Sequence, residues 1–110
     1  MNRYSGGMNS SVRSFLKAKA QELKPVVMVG KGGLDERIIK ALNEALASHE
    51  LVKVKFQAFK DEKRELAQEL ALKTESDLVT IIGFIATFYR PGKGDQHIIN
   101  IPRDLVNKGE

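Results

Sequence analysis

The stretch of this 110-residue sequence best suited to chemistry is Gly30-Lys31-Gly32-Gly33, set between the apolar run 26–29 and Leu34. A glycine turn that leaves a strand and enters a helix is a natural anion site. The backbone can come close, successive N–H groups converge, and the helix N-terminus adds partial positive charge. Lys31 at the tip supplies a full charge for a phosphate. Asp35 and Glu36 fall in the first turn of the helix that follows, where they satisfy its dipole and repel an anion, so contact is expected at the tip. A Walker loop needs Ser or Thr after Gly-Lys, and Gly32 stands there. A dinucleotide fingerprint would put its third glycine at position 35, which is Asp. Taken alone, the pattern fits an unliganded tight turn better than a site.

Other side chains give less. Lys53 and Lys55 share one face of a strand, where they contact an anion or simply solubilise the sheet. Arg90 follows Tyr89, a pair suited to a phosphate and a stacked base, although a tyrosine at a strand end more often packs. His49 and His97 have no metal-ligand partner at useful spacing. The chain has no cysteine, which removes disulfides, thiolate nucleophiles and cysteine metal sites. No nucleophile stands with a base, and no carboxylate sits in an apolar context that would fit it for acid–base work. Catalysis, a cofactor and a metal are therefore not expected.

The net charge is +4, and residues 1–33 carry six basic residues against Glu22 alone. Such a bias fits an anionic partner or a solvated basic helix equally well. Hydrophobic residues are 42% and charged residues 29%, ordinary for one soluble domain. Residues 1–10 lack the apolar core of a signal peptide, and no apolar run approaches the ~20 residues of a membrane helix. A cytoplasmic location is expected, with a lead-in over 1–9, a domain over 10–104 and a tail over 105–110.

Around the loop the periodicity gives an order of elements. A first helix opens at Asn9, Ser10 or Ser11, carries Val12, Phe15, Leu16 and Leu23 on one side, and ends before Pro25. Residues 26–29 form a buried strand, and a second helix runs from Leu34 to about His49. The strand 51–57 alternates, with Val52, Val54 and Phe56 inside and one face wet. Asp61 is expected to cap a third helix. Strands 78–82 and 85–89 flank Gly83, turns follow at Pro91-Gly92 and Gly94-Asp95, and 97–101 is a candidate edge strand. The order αβαβαββ implies an α/β two-layer sandwich on a four-stranded mixed sheet.

Several ordered segments then point to one family. Leu23-Lys24-Pro25-Val26-Val27-Met28-Val29-Gly30-Lys31-Gly32-Gly33-Leu34, Glu50-Leu51-Val52-Lys53-Val54-Lys55, Ile82-Gly83 and Tyr89-Arg90-Pro91 together resemble the CRM domain, the YhbY-type RNA-binding family. The similarity extends over roughly 11–103. The resemblance implies a fold like the C-terminal domain of translation initiation factor three. It also implies a GxxG loop that clamps the nucleic-acid backbone as in KH domains, with Lys24, Lys53, Lys55 and Arg90 in the basic surface beside Gly30, Lys31, Gly32 and Gly33. Stand-alone members are associated with the precursor of the large ribosomal subunit and its RNA, and plant organellar relatives act in intron splicing. The implied partner is thus ribosomal RNA or a pre-ribosomal particle, with no membrane and no small-molecule substrate. One position departs from the family: Phe84 stands where a polar or basic residue is common. The rival expectation is a protein-interaction module, docking a ribosomal protein or assembly factor through the open sheet face or an unpaired edge strand.

Overall fold

A computed structural model describes residues 8–92 and 97–106. In chain order the elements are α1 (Ser10–Ala20), β1 (Val27–Val29), α2 (Glu36–His49), β2 (Leu51–Phe56), a 3-10 turn (Lys60–Glu62) running into α3 (Lys63–Lys73), β3 (Asp77–Ile82), β4 (Ile85–Tyr89) and a short α4 (Arg103–Val106).

Local chemistry accounts for most of the boundaries. Asn9 Oδ1 accepts the Val12 N–H at 2.8 Å and starts α1, whose Val12, Leu16 and Ala20 bury one stripe. The helix stops at Ala20, short of Pro25, because residues 21 and 22 turn and the Leu23 N–H bonds Ala20 O at 2.9 Å. Leu23 is left exposed rather than extending the stripe. Asp35 is the N-cap of α2, one position outside its first turn, and accepts the Ile38 N–H at 3.0 Å. Asp61 does not cap α3. It lies in the 3-10 turn, which the Glu62 N–H closes on Phe59 O at 3.1 Å, and no side chain caps the start of α3.

The sheet order is β1-β2-β4-β3. β1 and β2 are parallel, with Val27 opposite Val54, and the other two pairings are antiparallel. Val52, Val54 and Phe56 face α2 and α3, as the alternation predicts, and form one core with Leu42, Leu46, Ala67, Leu70 and Phe88. A bulge between Leu78 and Thr80 resets the alternation in β3, so Leu78 and Ile81 both turn toward that core.

The α/β class and the mixed four-stranded sheet match expectation, but the layering differs. The second face of the sheet is not open. Val12, Leu16 and Ala20 of α1 pack there against Leu51, Val79, Tyr89 and Ile101, so the fold is three layers deep wherever α1 lies. The apolar stripe of α1 needs a partner, and the inward neighbours of Lys53 on that face provide it. Residues 97–101 form no strand; Ile101 is buried in this second core instead. The limit expected after residue 104 cuts through α4, whose Leu105 and Val106 carbonyls accept from Asn9 Nδ2 at 3.0 and 3.1 Å. The turn expected at Gly94-Asp95 lies outside the described residues, as does most of the 1–9 lead-in. Among the described residues no helix is long and apolar enough to cross a membrane.

Candidate nucleic-acid interface

β1 and β3 both run in the direction of β2, so the carboxyl ends of three strands lie at one end of the sheet. In open α/β sheets this is the end at which ligands bind. The connections from β1 to α2, from β2 to α3 and from β3 to β4 all begin there. Gln57 and Ala58 N–H groups donate to Val29 O at 2.9 and 3.2 Å, and the Phe56 N–H donates to Phe84 O at 2.7 Å. The glycine loop and the Gly83-Phe84 turn are therefore about two strand spacings apart, ~10 Å.

The loop itself is a closed turn, with the Gly33 N–H on Gly30 O at 3.0 Å. Its glycines do different things. Gly33 has φ +69°, a left-handed conformation that side chains resist, and the Phe59 ring lies 3.6 Å from where its Cβ would be. At Gly32 a Cβ would meet Asp35 Oδ2 at 3.1 Å, so a side chain there would push on the helix cap. At Gly30 a Cβ would meet nothing within 4 Å, and the backbone is open to close approach. Lys31 is exposed at the tip.

Below the tip is a shallow cleft of about 330 Å³ lined by Met28, the loop glycines, Asp35 and Arg37. The Ile38 N–H is the main influence holding the Asp35 carboxyl below its ordinary range; desolvation opposes it and the Arg37 guanidinium, 3.5 Å away, assists. A carboxylate thus occupies the helix entrance. An anion finds favourable donors at the tip and repulsion beneath it.

The other expected cations separate in space. Lys55 is exposed near the loop end of β2. Lys53 donates from Nζ to Leu23 O at 3.1 Å and shares a second cleft, of about 470 Å³, with Lys19, Lys24 and His49. That cleft opens beside the start of β1, where the Val26 N–H bonds Lys53 O at 3.1 Å. Arg90 lies at the opposite end of the sheet from the loop. Its guanidinium donates to Asn43 Oδ1 at 2.8 Å, Asn43 O at 3.0 Å and Thr74 O at 2.8 Å, tying the exit of β4 to α2 and the end of α3. Those three bonds give Arg90 a role inside the fold.

Some residues at the loop end are not singled out by sequence. Lys60 and Lys63 place their Nζ atoms 4.5 and 4.8 Å from the centroid of the Phe84 ring, and Lys63 Nζ donates to Gly83 O at 2.6 Å. Arg37 is nearly fully exposed at the loop. Periodicity assigns Lys63 only to a solvated helix face, and the sheet order is what brings it to Phe84. Glu50 is a further surprise: a buried residue at φ 65° between α2 and β2. Its carboxylate accepts N–H groups from Gly92 and from Ile99, the latter at 2.8 Å, with His97 Nδ1 3.8 Å away. The sequence signal is an acid placed directly before a buried strand.

The CRS1/YhbY (CRM) domain profile matches residues 8–90. The chain belongs to that family. Protein PA4753 of Pseudomonas aeruginosa is 42% identical over 89 residues, 79% of this chain and 86% of that protein. A Haemophilus influenzae protein named as RNA-binding is 35% identical over 97 residues, 87% of this chain and 96% of its own length. The solution structure of SAV1595 from Staphylococcus aureus superposes with a TM-score of 0.71 at 35% identity, covering 86% of this chain and all of that one. In this chain Phe84 gives the β3–β4 turn an aromatic character.

Proposed function

We propose that this CRM-domain protein binds RNA with the loop end of its sheet, Gly30, Lys31, Gly32 and Gly33 meeting the phosphate backbone. The target is structured RNA of the large ribosomal subunit precursor, and the role is in ribosome assembly. RNA-binding names borne by the relatives from Pseudomonas aeruginosa and Haemophilus influenzae support the RNA partner. The observation that carries the site is Gly30, whose missing Cβ opens the backbone to close approach beside the exposed Lys31. Lys55 and Arg37 add charge around the loop. Lys24 and Lys53 supply a flanking basic strip along the start of β1, reached by the same RNA only if it runs past the loop. Arg90 acts through the fold, since three of its five guanidinium donors already hold Asn43 and Thr74.

The structure also selects the variant for the test. A side chain at Gly32 would disturb the Asp35 cap, whereas one at Gly30 meets open space. The combined change Gly30→Asp and Lys31→Asp should weaken binding to a large-subunit RNA fragment severely, flatten its salt dependence, and leave the thermal midpoint where it was. Lys73→Asp, at the far end of α3, serves as the charge control and should matter far less. Unchanged affinity in the loop variant would sink the proposal. Crosslinking in cells, mapped to individual nucleotides, tests the ribosomal assignment directly, and crosslinks confined to other RNAs would refute it.

A further inference from the structure

The geometry points to Phe84, with Lys60 and Lys63, as a seat for one unpaired nucleobase next to the phosphate held at the loop tip. This inference rests on the RNA-binding role proposed above and adds what kind of RNA the site prefers.

Phe84 is 44% exposed and Phe59 41%, the two phenylalanines so exposed among the described residues, and both lie at the loop end of the sheet. Phe59, itself in a left-handed conformation, sets its ring against Gly33 and leads directly into Lys60. The chain is thus continuous from the glycine loop, through the Phe59 ring, to the lysines on Phe84. Gly83, at φ +60° with open space around its Cβ position, makes the tight turn that projects Phe84. Ile82 before it is 65% exposed, so this corner is apolar as well as cationic.

Two ammonium groups over an exposed ring are what a nucleotide needs: a π-face for the base and mobile positive charge for the phosphate. A cation–π contact at an exposed site is weaker than a base stacked on an aromatic ring. The arriving nucleotide can therefore take the ring, Lys60 moving to its phosphate while Lys63, which keeps one donor on Gly83 O, turns another toward it. The spacing also suits the purpose, since ~10 Å between loop and turn lets adjoining nucleotides engage both. Bases in a continuous helix are already stacked and cannot reach the ring, so the site selects RNA with a splayed nucleotide beside a backbone contact. A single ring of this kind is a selector, not the multi-base sheet platform of an RRM.

The experiment uses the full chain and two stem-loop RNAs that differ only in the loop, one with ordinary nucleotides and one abasic, so that every phosphate is kept. Phe84→Leu preserves apolar bulk and removes the ring. It should lower affinity for the base-bearing loop about fivefold or more, leave affinity for the abasic loop unchanged, and leave the salt slope of both unchanged. Phe84→Trp gives a chain that otherwise lacks tryptophan a single indole, whose emission should be quenched by the base-bearing RNA and not by the abasic one. Equal losses on the two RNAs, or no loss on either while Gly30→Asp with Lys31→Asp abolishes binding, would overturn the stacking seat and leave the loop clamp standing. Failure of the unaltered protein to bind either RNA would overturn both.

Discussion

Where β2 begins and β4 leaves the sheet, the Glu50 carboxylate accepts two backbone N–H groups, and the Arg90 guanidinium makes three bonds to Asn43 and Thr74. Where β1, β2 and β3 leave it, Lys31, Lys55, Arg37 and Lys60 are exposed, and an aromatic ring stands in solvent among the cations. Both ends are rich in charge, and the charges differ in what they are free to do. Glu50 even holds an unfavourable backbone conformation for a non-glycine residue, a strain of about 1–3 kcal/mol. Bonds to its carboxylate and to both of its backbone groups offset that strain. A charge that is saturated inside the protein stabilises the fold; one left unsaturated at a strand terminus is available to a partner. Family resemblance alone does not make this distinction, and it groups Arg90 with Lys31.

The sharpest way to break the contrast is Glu50→Ala. It orphans the Gly92 and Ile99 N–H groups, and denaturant unfolding should show a loss of about 3 kcal/mol with little effect on RNA affinity in the protein that remains folded. A loss mainly in RNA affinity would erase the difference between the ends. Asp35→Ala removes a helix cap at the loop end and should lower the thermal midpoint at neutral pH, by less than Glu50→Ala does. Because the folded-state pKa of Asp35 is lowered, its contribution is present above the unfolded value and lost as pH falls through the folded one. Unfolding curves of the two proteins should accordingly converge in acid. Asp77, at the saturated end, is the exception that sharpens the rule. Burial raises its pKa, and the nearby Arg13 only partly counters this. Its ionised form therefore costs stability, so Asp77→Asn should stabilise the protein slightly at neutral pH. That gain should be absent below the unfolded pKa and build as pH rises toward the folded value. A destabilised Asn variant would show that Arg13 outweighs burial.

Much of the fold was legible because the periodicities were strong: Val52, Val54 and Phe56 on one face, Leu42 and Leu46 on a helix, glycine at each end of the first loop. The start of α1 was legible from Asn9, a good capping type. The end of α1 was not, since Leu23 continues the apolar spacing yet lies beyond the turn at 21–22, outside the buried stripe. Nor was the layering, because an alternating strand with lysines on one face looks wet even when Leu51 on that face is covered by a helix. The candidate site was legible only where its residues are contiguous. The glycine loop could be found by composition, but Phe84 and Lys60 are 24 positions apart in number and adjacent in space only through the β2–β4 pairing. Arg90 illustrates a related point: an arginine at a strand end looks wholly solvent-facing until Asn43 and Thr74 are brought to it.

The second apolar cluster has a consequence for motion. It joins α1, from one end of the described chain, to Ile101 and α4 from the other, across a sheet whose main core with α2 and α3 is complete without them. Asn9 bridges the two segments over a sequence separation of 96 residues. Layers closed by such distant contacts tend to open as cooperative units at a fraction of the global unfolding free energy. Hydrogen exchange should therefore find the amides of α1 less protected than those of β2 and β4. When that layer opens it bares the sheet face below Lys53, while the glycine loop, anchored on the main core, keeps its shape.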